Sequence, residues 1–135
     1  MGFRHSLGEE FPDLRIVGLA EGRDDHARNY AATKKMLAEY PDLLGIYNIG
    51  AGSRGVADAL LELRPARRVT FIGHELTDHT RRFLIDGVMD AVINQEPGHE
   101  VVNAMRLLTN FHEHREPMAG VEATRIEVFV RDNLP

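Results

Sequence analysis

Four times along the chain a short apolar run leads through a polar loop into a segment with apolar residues at helical spacing, and that alternation leaves very few possible folds. The runs lie at 15–20, 43–47, 69–73 and 90–93, and the helical segments at 26–40, 53–63, 79–85 and 100–111. A strand that follows a helical crossover pairs in parallel with its predecessor, so the pattern predicts an α/β fold, a parallel β-sheet with helices on both faces. The run Val69-Thr70-Phe71-Ile72 agrees, since a strand covered on both sides need not alternate. Pro41 ends one helix and Gly87 suits the C-terminal cap of another. Residues 2–10 read as a helix stopped by Phe11-Pro12-Asp13, and 124–130 alternate like a final strand.

A parallel sheet also fixes where function can sit, because ligands of open sheets bind beyond the carboxyl ends of the strands. The loops at 21–25, 48–53, 74–78 and 94–97 should therefore line one edge. They offer Asp24, Asp25, Asn48, Gly50, His74, Glu75 and Gln95 as candidate ligand contacts, with Asn94 beside them. Carboxylates and amides together accept and donate, which is what a polyhydroxylated ligand needs. Asp24, Asp25 and Asp78 are equally suited to capping the helices that follow, and Asn48 to holding a turn.

Tyr47-Asn48-Ile49-Gly50-Ala51-Gly52-Ser53-Arg54-Gly55 carries glycines at the G-x-G-x-x-G spacing that makes room for a phosphate at a helix N-terminus. It opens an alternative, a dinucleotide-dependent oxidoreductase with Glu75 on the ribose hydroxyls. Against it, the motif follows the second strand, and nothing downstream places a proton donor beside a hydride acceptor. Other catalytic patterns are missing too. Gly52-Ser53-Arg54-Gly55 lacks the G-x-S-x-G elbow, and His112 and His114 are two residues apart and diverge on a helix. The chain reads as a non-catalytic binding domain without cofactor or metal.

The net charge of −5, with its basic residues scattered, gives no footprint for nucleic acid. The sequence has no cysteine, which excludes disulfides and thiolate-bound metal. No stretch approaches the roughly 18 apolar residues of a membrane span, and the first residues lack a signal peptide's apolar core. A cytoplasmic location is the expectation. Phe3 and Leu7 already stand at helical spacing with no cap ahead of them, so the chain is expected to be a piece of a longer one.

The order of elements and loops resembles the effector-binding core of the lac-repressor family of transcription regulators and the related periplasmic sugar-binding proteins of the type I fold. Tyr40-Pro41-Asp42 is similar to that group's helix-to-strand junction, with Gly55 as its later glycine. Phe71-Ile72-Gly73-His74-Glu75 resembles its apolar-Gly-aromatic-Asp motif, Val92-Ile93-Asn94-Gln95-Glu96-Pro97 its strand ending in Gln-x-Pro, and Val130-Arg131-Asp132-Asn133-Leu134-Pro135 the closing segment of its regulators. The resemblance implies that residues 1–135 are the C-terminal lobe of a sugar-sensing domain, with 97–113 belonging to the other lobe. Glu75 would replace the sugar-binding Asp, Gln95 would be the polar contact at the hinge, and Asn48 would stand near an Asn-Asp pair. It also implies a sugar-like effector, a homodimer, no membrane contact, and DNA bound only through a headpiece outside this chain. A periplasmic sugar-binding protein of an ABC transporter is the alternative within the same fold.

Overall fold

The computed structural model describes residues 2–135. The elements are α1 (Gly2–Glu10), α2 (His26–Glu39), β1 (Gly45–Tyr47), α3 (Ser53–Leu63), β2 (Thr70–His74), α4 (Asp78–Ile85), β3 (Ala91–Gln95), α5 (Pro97–His112) and β4 (Ile126–Phe129), followed by a 3-10 turn at Arg131–Asn133. The strands form one sheet in the order β1-β2-β3-β4. Pairing of β2 with β3 is parallel, Ile72 facing Ala91 and His74 facing Ile93. At the edge β4 runs antiparallel to β3, Gln95 facing Ile126. The sheet is thus mostly rather than wholly parallel, because the long return after α5 brings the last strand back in the opposite direction.

Residues 15–20 do not form the expected strand. Ile16 and Val17 are half-buried while Leu19 and Ala20 are exposed, and among the described residues no backbone ladder involves this run. Its β-branched residues suit a pleated surface, but a strand exists only where a neighbour accepts its hydrogen bonds.

By contacts the described residues divide into two compact units, one comprising residues up to Ile46 with Gly50–Thr70, the other Tyr47–Ile49 with Phe71–Pro135. The first is built on α2 against α3. Val56, Ala57, Ala59 and Leu60 bury one face of α3, and Gly55 brings the helices together. A Cβ at Gly55 would overlap the His26 carbonyl oxygen and lie 2.9 Å from the Tyr30 nitrogen, so no larger residue fits without separating the helices. Along the rim, Lys34 Nζ donates to Glu62 at 2.7 Å, Tyr30 also donates to Glu62, and His26 meets Asp58 at 2.8 Å. The hydrogen bonds from Lys34, then Tyr30, hold the Glu62 carboxyl below its usual range.

The second unit centres on Phe71, Leu84, Met89 and Val92, all essentially fully buried. Each contributes about 1.5–3 kcal/mol by leaving water. Asp90 fixes the start of this core, its Oδ2 accepting from the Phe71 N–H at 2.8 Å. At α4 the cap is Thr77 and not Asp78, which lies in the first turn: Thr77 and Thr80 exchange side-chain and backbone hydrogen bonds in a capping box. Thr77→Ala is expected to cost about 1 kcal/mol, read as a lower urea midpoint with an unchanged slope.

Helix α5 is inverted relative to an ordinary amphipathic helix. Its fully buried side chains are Asn103 and Asn110, whereas Val101, Met105, Leu108 and Phe111 are exposed, Phe111 by 73%. The polar stripe holds the return segment: Asn103 Nδ2 donates to the Glu122 carbonyl at 2.8 Å, Asn110 Nδ2 to those of Pro117 and Ala119, and Arg106 to that of Gly120.

Candidate functional site

In the first unit the turn from β1 into α3 is packed by side chains from the loop before α2. Asp25 is the N-cap of α2, its carboxylate accepting from the Arg28 N–H at 2.8 Å, so this candidate is occupied as a cap. Asp24 and Arg23 before it adopt left-handed backbone, with φ of 55° and 50°. That bend sends the Asp24 carboxylate to the glycine turn, where Oδ1 accepts from the Ala51 N–H at 2.8 Å and takes the space a Gly50 side chain would need. The Asn29 amide does the same over Gly52, and its Nδ2 donates to the Asp25 carbonyl at 2.8 Å. Gly50, Gly52 and Gly55 therefore all serve close approach of the chain to itself, two to side chains and one to a helix backbone. The spacing that suggested a dinucleotide has an internal cause.

In the second unit the carboxyl ends of β2 and β3 carry the remaining candidates. Asn48 follows β1, and its N–H donates to the Ile72 carbonyl at 2.9 Å. His74 is the last residue of β2, and its Nε2 lies 2.7 Å from the Tyr47 hydroxyl, with the rings tilted at 5.5 Å between centroids. Tyr47 escaped the sequence reading, because a partner 27 residues away is set by strand pairing and leaves no local signal. Glu75 leaves the strand with φ of 66°, its N–H donating to the Ile93 carbonyl at 3.0 Å and its own carbonyl accepting from Thr80 Oγ1 at 2.7 Å. The backbone is thus held at both polar groups, while among the described residues the half-buried Glu75 carboxylate has no partner. Asn94 and Gln95 end β3 instead of lying in a loop. The Asn94 Oδ1 is used internally, accepting from the Leu76 N–H at 3.0 Å. Gln95, two residues beyond the partner of His74, shares its sheet face, and among the described residues its half-buried amide is unpaired.

Elsewhere in this unit a shallow groove of about 370 Å³ runs past Glu96, His99, Arg106, Glu122 and Arg125. Its charges satisfy one another, Glu122 meeting His99 at 3.1 Å and Arg106 at 3.8 Å. Among the described residues no group of three His, Asp or Glu could hold a metal ion, and no helix is long and apolar enough to cross a membrane.

Comparison with known proteins agrees with this geometry. The family model described as periplasmic binding protein domain matches residues 1–115. No curated protein sequence matches the chain. Among solved structures it is similar to a glucose-galactose binding protein, GanP, from Geobacillus stearothermophilus, with 22% identity and a TM-score of 0.89 over 99% of this chain and 48% of that one. It is similar also to AraP, an arabinose binding protein of the same organism, with 23% identity and a TM-score of 0.80 over 98% and 48%. A sugar-binding protein of a sugar ABC transporter from Bacillus halodurans gives 23% identity and a TM-score of 0.81 over 98% and 49%. The chain thus spans about half the length of these structures. They are sugar-binding proteins, one of them of a transporter by name, and not transcription regulators, so the lac-repressor assignment gives way to its alternative within the same fold.

Proposed function

Because the chain belongs to the periplasmic binding protein domain family, we propose that it is one lobe of a sugar-binding protein of the transport type and supplies part of the wall of a cleft for a neutral monosaccharide. The observation that carries this reading is the Glu75 carboxylate, half-buried and without an internal partner on a backbone clamped in the left-handed region, close in the fold to the unpaired Gln95 amide. A left-handed non-glycine backbone is costly and persists where surrounding bonds enforce it. Here those bonds present an acceptor that nothing inside the unit uses. Sugar hydroxyls donate to a carboxylate and exchange bonds with an amide, and an analogue lacking the hydroxyl leaves both groups unpaired. The solved relatives named for glucose and galactose and for arabinose support that ligand class.

The reading also assigns a place to α5. Its outward apolar face, with its asparagines turned inward, suits a helix that docks on a second lobe, and relatives about twice as long as this chain have room for one.

Calorimetric titration of the protein carrying this lobe with D-galactose, D-glucose and L-arabinose tests the assignment. Glu75→Gln and Gln95→Ala are each expected to weaken binding of whichever sugar is bound, Glu75→Gln by about 10- to 100-fold because a charged hydrogen bond is lost. Binding by both variants as tight as by the parent would overturn the assignment.

A further inference from the structure

The Asp24 carboxylate stands where an anionic ligand would stand. Helix α3 begins at Ser53 behind Gly52, an N-cap that provides no side-chain acceptor. A helix start of this kind carries partial positive charge and outward-pointing N–H groups, and with small residues ahead of it an anion can come close. Here the chain fills that space itself. Two successive left-handed residues, Arg23 and Asp24, turn the carboxylate onto the Ala51 N–H at 2.8 Å, within the volume that glycine leaves at position 50. The Asn29 amide closes the neighbouring space over Gly52. A phosphate approaching the turn would have to displace a carboxylate already bonded there and would meet its negative charge. A sugar hydroxyl would meet instead an acceptor with lone pairs to spare, since a carboxylate offers about four acceptor positions.

We propose that Asp24 is a specificity-determining residue, an internal anion that makes the glycine turn admit neutral hydroxylated ligands and reject phosphorylated ones. The proposal rests on the sugar-binding reading for its purpose, but its physical content can be tested without any sugar. Asp24→Asn removes the charge and keeps the shape, and Asp24→Gly opens the space; both residues tolerate the left-handed backbone required at this position. Inorganic phosphate is titrated into the ¹⁵N-labelled parent and both variants while the amide signals of Ala51, Gly52 and Ser53 are followed.

The parent is expected to show no saturable shift at these amides. Asp24→Gly is expected to show one, with at least tenfold tighter apparent binding, and Asp24→Asn to fall between them. A parent that responds as strongly as Asp24→Gly overturns the proposal, and so does an Asp24→Gly variant with intact α3 signals and no phosphate response. Absence of sugar binding alongside the expected phosphate series would sink the sugar reading and uphold the role of Asp24.

Discussion

Gly55→Val is expected to destabilise the protein by about 3 kcal/mol, at the upper end of overpacking costs, and to lower the melting temperature by roughly 10 °C or more. The reason is backbone rather than side chain. A Cβ at position 55 overlaps the His26 carbonyl oxygen, comes within 2.9 Å of the Tyr30 nitrogen and 3.1 Å of the Asn29 Cβ, and none of these belongs to the end of a flexible group. Relief requires α2 and α3 to move apart. Val56, Ala59 and Leu60 then lose packing together, since interiors respond to small separations with a large loss of dispersion contacts. Gly98→Ala is the matched control. It lies in the first turn of α5 with nothing within 4 Å of the added methyl, so the variant is expected to be neutral or more stable by up to about 1 kcal/mol. Thermal unfolding of the two variants checks both signs, and equal melting temperatures would remove close helix packing as the reason for the third glycine of the motif.

The contrast between these glycines marks how far the sequence could be read. Periodicity placed α3 at its observed limits and the other helices within a few residues, because a buried stripe at helical spacing is a local property. The run at 15–20 failed for the complementary reason: strand propensity is realised only through a partner, and here none is bonded. In the candidate site, residue type identified Asp24, Asp25, His74, Glu75 and Gln95 as polar groups at the correct ends of elements. Their states were not legible. Asp25 became a cap, Asp24 was turned by two left-handed residues onto a loop 27 residues away, and His74 met Tyr47 across the sheet. Position along the chain sets which element a side chain leaves from, whereas its partner is set by three-dimensional packing. The G-x-G-x-x-G spacing shows the limit most clearly, since glycine is required wherever anything approaches the backbone, and here what approaches is the chain itself.

For α5 the sequence was legible on one face only, and the other face carries the second large effect. Its apolar residues at 101, 104, 105, 108 and 111 formed the visible stripe, but the described helix is attached through His99, Asn103, Arg106 and Asn110, which repeat at the same helical spacing on the opposite side. Asn103 is the centre of that attachment: it donates to the Glu122 carbonyl at 2.8 Å and accepts from the Glu122 N–H at 3.1 Å, with only 8% of the residue exposed. Asn103→Ala removes both bonds and leaves two backbone groups short of partners, a loss of about 2–3 kcal/mol. With the apolar face of α5 turned outward, no hydrophobic contact on that side compensates within this chain. Amide exchange should therefore accelerate about 30- to 150-fold at Glu122 and its neighbours, while Phe71 and Val92 in the buried core keep their protection. Asn103→Asp retains an acceptor for the Glu122 N–H but sets a carboxylate against the Glu122 carbonyl, so it should resemble the alanine variant more than the parent. Unchanged exchange at Glu122 in both variants would mean that α5 is held by something other than its asparagine stripe.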